Sequence, residues 1–337
     1  MNSLERVIAA LNHKPVDRVP VTGFMTMVTS DLMKMYDYSW LDAHYNAEKL
    51  VELAAAAHVH CGLDTMKLPF DMTVEAEALG GKISMGSETT LPQIRDKLFD
   101  EPGEFVFDRD LLLKGRIPLV LKSIKLAKSK YSPHVAVTSS IVGPFSLGTW
   151  LFGVDDLLIW SIEEPEKLHA AMEKLTKLCI MYAKEQVFAG ADVIQIGEAA
   201  ASGDLLSPTT YRDFIAPYHK LLCAELSAPS IVHICGNITG HFQYIADTGM
   251  MGISFDKKSD ANVGRELLKG KVALVGYVDV LETLLKGTAE EVYAASRECL
   301  EMHVDCLNPG CSLPAGVPME NISALVRASI EFGTHPK

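Results

Sequence analysis

Eight short segments rich in Val, Ile and other apolar residues recur along the chain, separated by longer stretches with helical spacing. They are VPVTGF (19–24), TMKLPF (65–70), VAVTSSIVG (135–143), DVIQIGE (192–198), SIVHICG (230–236), GISFD (252–256), KVALVGYVD (271–279) and VDCLNPG (304–310). Gly, Pro or Asp bounds these runs, as at strand ends. Most are nearly continuous apolar runs rather than alternations, which is how strands buried on both faces of a parallel sheet read. Between them, 46–62, 163–190, 207–226, 288–302 and 318–332 place apolar residues at helical spacing. Gly62 and Gly190 stand where helices close, and Thr288 with Glu291 forms a capping box. The opening residues, about 1–13, read as an amphipathic helix. Strand–helix alternation repeated eight times predicts an α/β fold, a (β/α)8 TIM barrel, as one domain over 1–337 with an insertion at about 81–134 after strand two. The rival, a doubly wound open sheet, would carry a glycine-rich phosphate fingerprint after an early strand, and the sequence has none.

Composition narrows the function classes. With 337 residues and 48% hydrophobic content, the chain is long enough for a large core. A net charge of −12 argues against a nucleic-acid partner. The seven cysteines, an odd and scattered set, argue against a disulfide framework and for a reducing compartment. The first residues lack the uninterrupted apolar stretch of a signal peptide, and no segment reaches the roughly 20 apolar residues of a membrane span. A cytoplasmic protein with no membrane partner is the expectation.

In such barrels the chemistry gathers at the C-terminal ends of the strands. Asp71 ends strand two, Gly143 strand three, and Glu198 strand four. Strand five delivers His233 and Cys235, with Asn237 after them; Asp256 ends strand six, and Cys311 follows strand eight. His233 and Cys235, two apart on a strand, leave it on the same face. Closure of the barrel brings Cys311 to the same mouth. One imidazole and two thiolates make a Zn²⁺ site with a position left over, the pattern of a catalytic rather than a structural zinc, and Asp256 is placed to fill or guard that position. The bland alternative for each cysteine is packing, and Cys61, Cys179, Cys223, Cys299 and Cys306 are read that way. Asp71 and Glu198 have solvated loop starts as their alternative. A thiolate-rich zinc carries little residual charge, so it activates water poorly and suits the binding and ionisation of a substrate thiol. The site therefore suggests thiol alkylation before hydrolysis.

HICGN, NPGCSLPAGVPMENISALV, GRIPLVLKSIKL and GADVIQIGEAAASGDLLSPTTYRDFIAPYHKLL resemble the uroporphyrinogen decarboxylase superfamily. Within it they are similar to the corrinoid-dependent methyltransferase branch, typified by methylcobalamin:coenzyme M methyltransferases. The likeness runs from HKPVDRVPV (13–21) to the last helix. It implies a TIM barrel with zinc on His233, Cys235 and Cys311. It also implies a methyl group taken from a methylated corrinoid, carried on a small corrinoid protein, and given to a small thiol acceptor. The decarboxylases carry NLGHG where this chain has NPGCS, and an arginine-rich RQAGRY where it has TGFMTMVTS. A tetrapyrrole with many carboxylates would lack its cationic partners here. Asp71 matches the Asp that the decarboxylases carry after strand two and that some methyltransferases keep, so it discriminates poorly between the branches. One departure concerns the Glu that zinc thiol methyltransferases commonly carry some two dozen residues after the His: this chain reads SFDKKSD, with Asp256 and then Lys257. Asp256 serves in its place, or Lys257 marks a different acceptor or simply faces solvent. Homocysteine and tetrahydrofolate are the alternative acceptors, with Asp71, Gly143, Glu198 and Asn237 lining the pocket. A metal-free decarboxylase and a non-enzymatic docking scaffold are the other readings.

Overall fold

In the computed structural model, which describes residues 1–334, seven of the eight expected segments form one parallel sheet. Strand β1 (Thr65–Leu68) is followed by a short antiparallel hairpin of β2 (Ile83–Ser84) and β3 (Gln93–Ile94). The sheet continues through β4 (Ala136–Val142), β5 (Val193–Gly197), β6 (Ser230–His233), β7 (Gly252–Ser254), β8 (Ala273–Val278) and β9 (Cys306–Pro309), with β1 paired to β4 and each later strand to its predecessor. The remaining segment, around Val21, closes the ring between β9 and β1. Thr22 N–H donates to Leu307 O at 2.8 Å and Leu307 N–H to Pro20 O at 2.9 Å, while Asp64 N–H donates to Val21 O at 2.8 Å. The expected strand 19–24 is thus reduced to one ladder bridge, Val21 to Leu307. Pro20 has no N–H to give. Side chains take over part of the ladder: Val21 N–H donates to Asp64 Oδ2 at 2.8 Å and Gly23 N–H to Thr65 Oγ1 at 2.7 Å.

The N-terminal helix, Ser3–Leu11, starts on an Asn2–Glu5 capping box. Its Val7, Ala10 and Leu11 cluster with Ala136, Val193, Ile231, Ala273 and Cys306, which stand at or beside the starts of successive strands. The helix therefore seals the N-terminal end of the barrel. Asp64, fully buried just before β1, anchors it: Arg6 Nη1 donates at 2.6 Å, Arg18 Nη1 at 2.8 Å and Ser3 Oγ at 2.7 Å. The opposite end, where the strands finish, is left as the mouth.

Two expectations need correction. The stretch 81–134 is not all decoration: Ile117–Tyr131 is a helix packed against helices Ala47–Cys61 and Pro165–Ala189 and against β1 and β4, the crossover helix a barrel requires. What decorates the barrel is the hairpin and the irregular chain on to a one-and-a-half-turn helix at Arg109–Leu113. The helix expected at 207–226 is two helices, Pro208–Phe214 and Ala216–Glu225, broken at Ile215 because Pro217 cannot donate to the preceding turn. Among the described residues no single helix is long and apolar enough to cross a membrane; Pro144–Phe152 and Val154–Glu163 pass only as a pair bent by 109°.

Candidate metal centre

His233 ends β6, and the chain then turns at Gly236, whose φ of +77° is open to glycine at little cost. A side chain there would also strike Ser202, since a Cβ would lie 2.2 Å from its Oγ. This turn holds Cys235 over the mouth beside His233, and the loop after β9 brings in Cys311. His233 Nε2 lies 3.1 Å from Cys235 Sγ, and the two sulfurs are 3.7 Å apart. One donor atom from each of the three residues falls within 4.8 Å of the others. Two thiolates on a tetrahedral Zn²⁺ stand about 3.8 Å apart at bonds of about 2.3 Å, so the sulfur pair already has the spacing of ligands. The nitrogen is closer to Cys235 than the roughly 3.5 Å such an ion sets. A shift of a few tenths of an ångström would close that difference.

The surroundings suit a soft cation. His233 Nδ1 meets Ser254 Oγ at 3.0 Å, on the residue directly opposite it in β7. With Nδ1–H donating to that hydroxyl, the Nε2 lone pair faces the sulfurs, as a ligand's must. The two sulfurs are within hydrogen-bonding reach of each other. The hydrogen bond from Cys235 draws the Cys311 thiol down, helped by His233, whereas the contact with Cys311 and burial push Cys235 up. One sulfur is thus poised to ionise.

The other expected residues take different places. Asp256 lies outside the group of ligand atoms: Oδ2 accepts from Gly236 N–H at 2.7 Å and Oδ1 from Lys258 N–H at 2.8 Å. It ties the loops after β6 and β7 together next to the cysteine turn, because backbone donors claim its short carboxylate. Lys257 is paired with Asp279 at 3.2 Å. Glu198 does not line an open pocket but is fully buried at the start of helix Pro144–Phe152. It accepts from Ser146 N–H at 2.6 Å and Phe145 N–H at 3.4 Å, and meets His219 Nε2 at 2.9 Å. Gly143 makes room for it, since a Cβ there would lie 2.2 Å from Glu198 Oε2. Asn237 is exposed, its Oδ1 turned back onto Thr239 N–H and Oγ1.

Asp71 does line a cavity. This space of about 380 Å³ adjoins the cluster through Ser312 and is walled by Met25, Phe70, Met72, Trp150 and the hairpin residues Leu91–Ile94. Its carboxylate is engaged by Arg116, at 2.8 and 3.1 Å, and by Thr73 Oγ1 at 2.6 Å. Burial alone would push this carboxyl up, but the Arg116 guanidinium and the hydrogen bonds hold it well below the usual carboxylate range. Two residues of this region escaped the sequence reading. Arg116 signals itself only as a charge beside Pro118 at a helix start, and Lys67 only as a lysine inside an apolar strand. A larger cavity, of about 710 Å³, lies away from this chemistry, around His13, Arg265 and Asp305 near the strand starts.

Fold and cluster together define a TIM-barrel enzyme with its donor groups at the C-terminal mouth. The sequence matches the uroporphyrinogen decarboxylase (URO-D) family over residues 2–332. It is 36% identical over 330 residues to a methylcobamide:CoM methyltransferase of Methanosarcina barkeri, covering 97% of each chain. It is 31% identical to a methylated-thiol–coenzyme M methyltransferase of Methanosarcina mazei, covering 98% of this chain and 90% of that one. A solved methyltransferase from Methanosarcina mazei superposes with a TM-score of 0.95 at 35% identity, covering 98% of this chain and 99% of the other. The chain belongs to the uroporphyrinogen decarboxylase family, on its methyltransferase branch.

Proposed function

We propose that this protein moves a methyl group from a methylated corrinoid, presented by a small corrinoid protein, to a small thiol such as coenzyme M. His233, Cys235 and Cys311 would hold a Zn²⁺. The observation that carries this reading is the convergence of one imidazole and two thiols, distant in sequence, with a sulfur spacing of 3.7 Å at the mouth of the barrel. Full-length relatives named for methyl transfer to coenzyme M support it.

Bound there, Zn²⁺ would lower the pKa of the acceptor thiol from about 8.5, so that thiolate is present at neutral pH. The chain's own residues supply the rest. Ser254 fixes the ring of His233, and Asp256 fixes the turn that carries Cys235. The cavity beside Ser312, walled by Met25, Phe70, Met72 and Trp150, keeps water from the reacting sulfur. In the transfer, the acceptor sulfur forms the S–CH₃ bond with its lone pair and the Co–C electron pair stays on cobalt. The products are a thioether and Co(I). Asp71 lines the cavity, Glu198 and Gly143 hold the buried layer behind it, and the thiol proton leaves through the mouth to solvent.

The test is demethylation of methylcobalamin followed by its visible spectrum, with coenzyme M, homocysteine or tetrahydrofolate as acceptor. Activity should be highest with coenzyme M, disappear after chelation and return on adding Zn²⁺. Full activity in metal-stripped protein would overturn the zinc assignment, and transfer to none of the acceptors would overturn the function.

A further inference from the structure

Lys67 projects from β1 into a barrel whose interior is otherwise closed. It is 5% exposed and lines the cavity that ends at Ser312, the residue after Cys311. Its ammonium carries three donors, yet among the described residues it makes one hydrogen bond, to Pro69 O at 2.5 Å, and no ion pair. The nearby carboxylates are committed elsewhere: Asp71 to Arg116 and Thr73, and Glu75 to Val142 N–H at 2.8 Å. Burial brings the Lys67 ammonium down to about 8, with Asp71 and Glu75 opposing, so it remains charged at neutral pH.

A second donor stands two strands along the sheet from β1. Gln195, on β5, is 1% exposed and its Nε2 has no hydrogen-bond partner. A methyl on Gly197 would lie 2.3 Å from Met72 Cε and 3.6 Å from Gln195 Nε2, so the amide sits beside the tip of a cavity-lining methionine. Gly197 is itself opposite His233 in the β5–β6 register. Buried donors left short of partners are costly to keep: Lys67, on the cavity wall, has one acceptor for three N–H groups, and the Gln195 amide, behind Met72, has none.

We propose that Lys67 and Gln195 receive the anionic tail of the acceptor thiol while its sulfur points toward His233, Cys235 and Cys311. This rests on the reading of the protein as a corrinoid-to-thiol methyltransferase. It makes Lys67 a specificity residue: the acceptors it favours are short thiols ending in a sulfonate or carboxylate, and a neutral thiol of the same length gains nothing from it.

The experiment compares wild type with Lys67→Met and Gln195→Leu in zinc-loaded full-length protein. Methylcobalamin is the donor, and 2-mercaptoethanesulfonate or 2-mercaptoethanol the acceptor. Loss of a charge-assisted contact should raise KM for the sulfonate about 10- to 100-fold in Lys67→Met, with kcat and the KM for mercaptoethanol nearly unchanged. Gln195→Leu should shift the same ratio less. Calorimetry with 1-propanesulfonate, which has no thiol, should show binding to wild type and not to Lys67→Met. Equal changes for both thiols, an unchanged sulfonate KM, or undiminished propanesulfonate binding would each overturn the assignment. If Lys67→Met does not fold, Lys67→Gln takes its place under the same criteria. Should wild type methylate no thiol, the parent reading fails, and propanesulfonate binding still decides the role of Lys67.

Discussion

Ser254 stands directly across the β6–β7 ladder from His233, and its hydroxyl meets the imidazole Nδ1 at 3.0 Å. A partner on the far nitrogen sets ring orientation and tautomer, and its loss typically costs about 10- to 100-fold in metal affinity. Ser254→Ala is expected to weaken zinc binding by about that factor, with an unchanged melting curve for the metal-free protein. Competition with a chromophoric chelator reads the affinity; an unaltered value would remove Ser254 from the site.

Cys311→Ala leaves only His233 and Cys235 on one loop. Zinc content after dialysis should fall from about one per chain toward zero, and methyl transfer to coenzyme M with it. Circular dichroism should be preserved, because Cys311 lies on a mouth loop outside the strand ladder. Metal analysis beside the demethylation assay checks both, and retained zinc with retained turnover would show that the third ligand lies elsewhere.

Glu75 makes stability depend on pH in a defined direction. Burial pushes its carboxyl from the ordinary 4.5 up to about 7, against a lowering contribution from Val142 N–H. A raised folded-state value means that the fold keeps a proton the unfolded chain releases. Its contribution is full below about 4.5 and is lost as pH rises through about 7. Glu75→Gln keeps an oxygen for Val142 N–H and removes this titration. Relative to wild type it should gain on the order of 2 kcal/mol between pH 5 and pH 8, seen as a rising difference in urea midpoint. A difference that stays flat with pH would contradict the assignment.

Gly143→Ala tests the wall behind the site. The added methyl would meet Glu198 Oε2 at 2.2 Å, and that carboxylate is held by Ser146 N–H and His219. Overpacking of this kind costs typically about 1–3 kcal/mol. Thermal melting should drop accordingly, and metal affinity should change little because Glu198 meets His233 only through its backbone N–H, on the His233 carbonyl at 2.9 Å, and not through the carboxylate.

Much of this was readable in the residues. The strands of the sheet announce themselves because both faces are buried, so their apolar runs are unbroken. The three donor residues are legible because His233 ends one strand with Cys235 two residues on and Cys311 follows another strand, and barrel closure leaves them one common place, although Cys235 reaches it from the turn rather than from the strand face. Asp256 was not legible: distance along the chain cannot say which way a short carboxylate turns once Gly236 and Lys258 offer backbone N–H groups. Nor was the burial of Glu198, which depends on the helix Pro144–Phe152, apolar on nearly every side and so without a readable face. Val21 lost its expected strand because Pro20 and the Asp64 and Thr65 side chains stand in for ladder bonds. Lys67 and Gln195 were passed over because polar residues in a buried strand disturb the pattern only one at a time.

The helix Ser3–Leu11 packed across the strand starts closes that end of the barrel and leaves a door at the other. If a corrinoid domain covers that door during transfer, a small thiol must already be inside when the lid comes down, and the methylated product must wait for the lid to lift. Sequence of entry and exit would then be dictated by plumbing rather than by affinity, with the larger visitor always last in and first out.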